Sequence, residues 1–481
     1  MNLTQKTVKG VMWTGFSTSS TTLLNFIILA ILARLLSPSD FGLMGMIMVV
    51  IGLAITIADL GLGAAIIQRQ DISHEQLSTV FFLNILLGTL LCTIVYFSSG
   101  IIALFFKKYE LVNLLKLISF SFIIISLSQT FRTLLQKWMN FKVLAKVEVC
   151  GIIIYGISSI TFALKGFGVR SLVLGFLIRQ TAETILLWFF TGFKPRLVFK
   201  LKNTKNLINF GIYVFGERIM NYFNRNLDYI IIGRFLGAEA LGFYTLAYQL
   251  MLFPISKISN IFGKVTFPAF SMIQNNNEKI KKGYLKVVKY ISLVTFPMMA
   301  GLFAVAPEFI TSIYGAKWYP TILILQILCL IGALQSIGSM VGTVLYAKGR
   351  SDIAFKWNVF VVCCTTVAFL IGVNWNIVGV AIAYAIISLI LLPIIQNITN
   401  KLIDLKMKDF LIQFINQIIG AVIMLIFVLI LKLLLNNYNL SQIFTLLSSI
   451  LTGIIIYMII ILLKDKRVII EGMEILQIYE E

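Results

Sequence analysis

An all-α chain that crosses a membrane about fourteen times is the fold class this sequence predicts, and three observations predict it. First, 59% of the 481 residues are apolar and only 12% are charged, with a mean hydropathy of +0.94. A soluble domain carries about 25% charged residues. Second, the apolar residues fall in long runs separated by short polar breaks, and one spanning helix needs about 20 mostly apolar residues. Third, the lysines and arginines concentrate in alternate breaks. In lipid every backbone polar group must be satisfied within the chain, so runs of this length are helices. A soluble enzyme, a disordered chain, a coiled coil and a disulfide scaffold are all poor fits.

The segments follow in order. The first, 10–33, comes after Lys6 and Lys9 and lacks a small-residue cleavage site, so it reads as a retained helix and not a removed signal peptide. Next come 41–63, 79–104, 112–135, 146–164 and 168–191. The seventh and eighth, 207–233 and 240–268, are, like the first, rich in polar residues. The series closes with 287–313, 321–346, 357–375, 377–399, 410–435 and 443–463. With the N-terminus inside, 27 cations fall in inside loops and 9 in outside loops, which places both termini in the cytoplasm. The same rule accounts for the net charge of +20 without nucleic acid, for which no recognition motif is present. Two inside loops, 192–206 and 271–286, are basic or strongly polar. They read as solvated linkers, with anionic lipid headgroups as the sharper alternative. The five cysteines lie in apolar runs without zinc spacing, and His74 is the sole histidine, so no metal site and no cofactor is expected.

An internal repeat organises these segments. ILARLLSPSDFGLMGM (31–46) aligns with IIGRFLGAEALGFYTL (231–246), matching Ile31, Arg34, Leu36 and Gly42 to Ile231, Arg234, Leu236 and Gly242. Further echoes pair 134–146 with 344–356, and Gly168–Val169 with Gly379–Val380. The expectation is a six-helix lobe over 1–191, a basic linker over 192–206 and a second six-helix lobe over 207–400. Two extra helices and a tail fill 401–481. An even helix number per lobe makes the repeat parallel, and such halves enclose a cavity and rock.

Polar residues inside spans mark the candidate site, since a charge at the bilayer centre costs about 2.5–3.5 kcal/mol. In the seventh span Glu217, Asn221, Asn224 and Asp228 form one stripe at 100° per residue, with Arg218 and Arg225 along its edge. They read as the wall of a hydrated cavity, with internal pairing as the alternative. The first span carries Thr14, Ser17, Thr18, Thr21 and Asn25 on one face, which suits either a cavity wall or helix packing. Arg179 and Glu183 are spaced to pair. The eighth span carries Pro254 and Lys257, with Pro268 near its end, which suits either a helix broken beside a cavity or a passive kink. No P-loop, H-E-x-x-H or G-x-S-x-G motif occurs, and no loop is long enough for a catalytic domain, so an enzyme is not expected.

The blocks ARLLSPSDFG (33–42), DLGLGAAIIQRQDI (59–72), FGERIMNYFNRNLDYIIIGRFLGAEALGFYTLAYQL (215–250), FPAFSMIQ (267–274) and AKGRSDIAFK (347–356) resemble the polysaccharide-transport exporters. These belong to the multidrug/oligosaccharidyl-lipid/polysaccharide flippase superfamily, and the similarity is to exporters of the colanic-acid and teichuronic-acid type. The resemblance covers residues 1–400. It implies two six-helix lobes in the bacterial cytoplasmic (inner) membrane and a flippase for undecaprenyl-pyrophosphate-linked oligosaccharide in polysaccharide or lipopolysaccharide assembly. Its implied partners are that lipid-linked substrate, membrane lipids, a coupling ion and polysaccharide-assembly proteins. Arg218 and Arg225 would hold the anionic headgroup, and Asn221, Asn224 and Asp228 the sugar hydroxyls, with Glu217 and Asn25 on the same walls. Arg34 and Arg234 are gate or interface residues, and snorkelling is the preferred reading for them. The rival functions are a cation-coupled multidrug antiporter of the same fold and a membrane polysaccharide polymerase.

Overall fold

The computed structural model describes residues 3–58, 63, 66–67, 71–198, 205–436 and 440–465. Among the described residues the chain is helical, with no strand. The helices of 18 residues or more are α1 (Leu3–Leu35), α2 (Pro38–Ala58), α3 (His74–Phe106), α4 (Leu111–Lys137), α5 (Phe141–Leu164), α6 (Val169–Thr191) and α7 (Lys205–Phe235). They continue as α8 (Gly237–Met272), α9 (Asn277–Phe309), α10 (Thr321–Gly338), α11 (Ser351–Gly372), α12 (Asn376–Leu402), α13 (Ile415–Asn436) and α14 (Gln442–Lys464). Each sits on one of the fourteen expected segments. Among the described residues, eleven regions are long and apolar enough to cross a membrane, one of which, 351–402, holds both α11 and α12. Helices α7 and α8 fall outside these regions because their polar residues dilute the hydropathy. The chain is an all-α polytopic membrane protein.

Helix starts are written in the local sequence. Ser37 and Asp40 cap α2 reciprocally: Ser37 N–H and Oγ donate to Asp40 Oδ2 at 2.8 and 2.7 Å, and Asp40 N–H donates to Ser37 Oγ at 3.2 Å. Ser73 and Gln76 do the same for α3. Asn140, Asn276 and Ser441 each accept an amide at the starts of α5, α9 and α14.

By its contacts the chain divides into two compact units, Met1–Gly242 and Phe243–Glu481. In the first, α3 packs along α4, α5 along α6, α4 along α6 and α1 along α5. Helix α7 lies on α2. Small residues permit these approaches: a Cβ on Gly88 of α3 would sit 2.7 Å from the Phe122 carbonyl of α4, and one on Gly156 of α5 would sit 2.6 Å from Ile28 of α1. In the second unit α9 packs on α10, α11 on α12 and α10 on α12, the pairings of the first unit six helices later. Helices α13 and α14 pair with each other and pack on α9.

The repeat has a local geometric signature. Gly42 at the start of α2 lies against the Ala238 carbonyl, and Gly242 at the start of α8 lies against the Pro38 carbonyl. Each contact is the other displaced by 200 residues, as a twofold relation between the two helix starts produces. The echo of Gly168 with Gly379 is weaker in structure. Gly168 caps α6 at φ 55°, whereas Gly379 is inside α12 against the Gly372 carbonyl.

Candidate functional site

Tyr222 ties helix α7 to α2. The Tyr222 hydroxyl donates to the Val49 carbonyl, and its ring lies beside Gly52, where a Cβ would come within 2.8 Å of Cε2. Asn226 Nδ2 donates to the Tyr222 carbonyl at 2.8 Å. The predicted stripe then separates by depth. Arg225 is exposed, and no ion pair or hydrogen bond from it is made among the described residues. Asn221 and Asn224 are half-buried. Asp228 is 5% exposed, and its Oδ1 accepts the Tyr229 amide at 2.9 Å. Glu217 and Arg218 lie in helical backbone whose side chains are outside the described set. At about 1.5 Å per residue, Arg225 is about 15 Å from the Phe235 end of its helix, half the thickness of a bilayer core of about 30 Å.

A second polar centre joins α1, α4, α5 and α6. Glu183 is 4% exposed and accepts from two guanidinium groups: Arg132 Nη2 at 2.7 Å and Arg179 Nε at 2.8 Å. Glu148 accepts from Ser17 Oγ at 2.7 Å and lies 3.4 Å from Arg132 Nη1. Room for Glu183 comes from Gly151, since a Cβ there would meet the carboxylate. Arg132, Glu148 and Glu183 lie about 8–12 Å from the nearer ends of their helices at about 1.5 Å per residue. The centre is an electroneutral quartet of two cations and two anions, so it presents no surplus charge to an anionic ligand. Its physical role is to hold four helices in register, because a buried carboxylate left unpaired is costly.

Sequence reasoning found the Arg179–Glu183 pair and missed the other half. It counts Arg132 with the inside loop of Lys137, Lys142 and Lys146, yet Arg132 lies within α4, next to buried Phe131. Glu148 is a single acid in the KVEVC run, and that isolation among apolar neighbours is the signal that marks it.

The remaining predicted residues scatter. Asn25 is exposed on α1, while Ser17 on the same helix is 2% exposed and committed to Glu148. Thr21 Oγ1 donates to the Ser17 carbonyl at 2.7 Å, so this part of the α1 polar face is spent on helix contacts. Arg34 is exposed in the last turn of α1. Arg234 is half-buried in the last turn of α7, with its guanidinium 5.4 Å from the Phe105 ring centroid. Its Nη1 is buried without a hydrogen-bond partner among the described residues. In the second unit Lys257 is half-buried in mid-helix, three residues after Pro254, with no ion pair among the described residues. Lys432 pairs with Glu308 at 2.8 Å, and Lys289 with Asp465 at 2.7 Å. No group of three or more histidine, cysteine, aspartate or glutamate side chains able to hold a metal ion occurs among the described residues.

Comparison with known proteins places these features in context. Residues 31–323 match the family model described as "Polysaccharide biosynthesis protein". The chain is 34% identical over 393 residues to the teichuronic acid biosynthesis protein TuaB of Bacillus subtilis, covering 81% of each chain. It is 33% identical over 393 residues to the lipopolysaccharide biosynthesis protein WzxC of Escherichia coli, covering 81% of this chain and 80% of that one. Among solved structures, the lipid II flippase MurJ in an inward closed conformation superposes with a TM-score of 0.77 at 19% identity, covering 96% of this chain and all of that one. An inward-facing multidrug resistance MATE family transporter of the MOP superfamily gives 0.63 at 16% identity, covering 79% and 95%. The structural likenesses establish a shared fold, and the family match and the relatives establish kinship: this chain is a member of the polysaccharide biosynthesis protein family.

Proposed function

We propose that this protein is a flippase that carries a polyprenyl-pyrophosphate-linked oligosaccharide from the inner to the outer leaflet of a bacterial cytoplasmic membrane by alternating access. Both termini lie in the cytoplasm in this reading, as the cation asymmetry of the loops requires. It is a transporter and not a catalyst, and it acts within a polysaccharide assembly system. The halves 1–191 and 207–400 act as the moving lobes, joined by 192–206, with 401–481 as an accessory pair.

One observation carries the proposal: in a chain related to polysaccharide biosynthesis proteins, Arg225 keeps an exposed guanidinium, without an ion pair among the described residues, about 15 Å inside the Phe235 end of its helix. A permanent charge at that depth needs water or an anionic ligand, and guanidinium binds phosphate oxygens in bidentate fashion. Asn221 and Asn224 beside it offer amide donors and acceptors to sugar hydroxyls. Arg218 and Glu217 extend the same stripe, Asp228 closes its buried edge, and Asn25 presents an amide on α1. Arg34 and Arg234 act at the helix ends, as interface anchors. The lipid II flippase with the same fold supports transport of a lipid-linked sugar. The antiporter reading draws less support, because α1 contains no acidic residue to bind a coupling cation.

The test is translocation of a defined polyprenyl-pyrophosphate oligosaccharide in proteoliposomes. Wild-type protein is expected to move the label to the opposite leaflet faster than protein-free vesicles do. Equal rates would end the proposal.

A further inference from the structure

A cleft separate from α7 opens at one end of the first unit. It has a volume of about 350 Å³, and its lining includes Asp40, Tyr109, Glu110, Asn113, Phe167 and Arg170. That size is at the small end of the range for small-molecule sites, about 300–1,000 Å³. Its walls are the starts of α2, α4 and α6 and the turns before α4 and α6. In the orientation proposed above, this end of the unit faces outward.

The cleft gathers hydrogen-bonding groups that are largely uncommitted among the described residues. Asp40 commits Oδ2 to the Ser37 cap, while Oδ1 faces Gly168, 3.2 Å from where a Cβ would stand. Glu110, Asn113 and Arg170 are exposed, and no side-chain partner is made by any of them among the described residues. Together they supply carboxylate acceptors, an amide and a guanidinium donor, the mixture that alternating hydroxyl groups require. Two aromatic rings stand beside them. Tyr109 is 86% exposed and Phe167 43%. Phe167 sits between Gly166 at φ 79° and Gly168 at φ 55°, left-handed positions that suit glycine and turn the loop around the ring. An aromatic face flanked by donors and acceptors packs on the C–H face of a sugar while its hydroxyls are bonded at the rim. The net charge of the lining is set by Asp40 and Glu110 against Arg170. One surplus negative charge disfavours an anionic ligand, the opposite of what Arg225 offers.

We propose that this cleft is a binding subsite for an uncharged hexose or N-acetylhexosamine ring, engaged as the oligosaccharide emerges on the outer side. The proposal rests on the flippase reading for its place in transport, and on the cleft alone for its chemistry.

The experiment is saturation-transfer difference NMR on the purified full-length protein in detergent, with methyl β-D-glucopyranoside, N-acetylglucosamine and glucuronate as separate probes. Both neutral sugars are expected to receive saturation, and glucuronate to receive none. Tyr109→Ala and Arg170→Ala should each weaken neutral-sugar binding about tenfold, or about 1.4 kcal/mol. Both side chains are exposed, so neither change removes packing from the core. Absence of transfer to either neutral sugar, unchanged signals in both variants, or stronger binding of glucuronate would each overturn the proposal. Translocation measured on the same preparations separates the two readings. Flipping without sugar binding ends the subsite and spares the flippase, whereas sugar binding without flipping ends the flippase and leaves the subsite standing.

Discussion

Arg225 and Glu183 show how one bundle uses charge in two opposite ways. Arg225 is exposed and makes no ion pair among the described residues, so removing it is expected to take away a ligand contact and little else. Arg225→Ala is expected to lower translocation by about 10- to 100-fold, the equivalent of a charged hydrogen bond of about 1.5–3 kcal/mol. The yield of folded protein should stay unchanged, and Arg225→Lys should recover only part of the loss because it keeps charge and loses the fork. Unaltered polymer export in an Arg218/Arg225 double alanine variant would remove these side chains from the site. Glu183 is the reverse case. It accepts from both Arg132 and Arg179 in a buried setting, and breaking such a group by deleting one partner costs about 3–5 kcal/mol. Glu183→Ala should therefore lower thermal stability in detergent sharply, read as a fall in Tm or in monodisperse yield. A Glu183→Ala protein with wild-type Tm would show that the quartet holds nothing.

At the scale of the helix, close approach is set by glycine, and the starts of α2 and α8 make the sharpest case. A side chain at Gly42 meets backbone on the other helix, and one at Gly242 meets the reciprocal backbone. Backbone cannot rotate out of the way, so Gly42→Val and Gly242→Val should each exceed the about 1–3 kcal/mol of ordinary overpacking. The two losses should be similar, because each contact repeats the other. Gly100→Val is the control, since nothing lies within 4 Å of its Cβ position. Thermal unfolding of the three variants decides the matter, and equal Tm values would refute it. Helix ends show where hydropathy misleads. The expected ninth and eleventh segments begin at 287 and 357, yet α9 begins at Asn277 and α11 at Ser351. Lysine-rich turns such as NEKIKKGYLK remain helical outside the apolar region, because lysine and glutamate are good helix formers. Apolar runs therefore mark what lipid can cover, and helices extend past it.

For the molecule as a whole, orientation is the prediction with most weight. In a background with the native cysteines replaced, Lys107→Cys should label from outside intact cells and Lys279→Cys only after permeabilisation. Both positions are exposed in the structure. Labelling of both from one side would overturn the topology and move the cleft of Tyr109 and Arg170 to the wrong face.

Composition and hydropathy were enough to read fourteen helices, their order and the polar character of α7, because lipid imposes one rule on every apolar segment: bond the backbone internally. The repeat could also be read, since Gly42 and Gly242 stand 200 residues apart in matching blocks. Partnership was a different matter. That Arg132 and Glu148 join Arg179 and Glu183, that Ser17 caps Glu148, and that Asp228 is buried while Arg225 is exposed all depend on how helices distant in sequence pack. Helical periodicity assigns a residue to a face, and a face can meet lipid, water or another helix. Packing chooses among these, through small residues such as Gly52 and Gly151, which leave room for Tyr222 and Glu183.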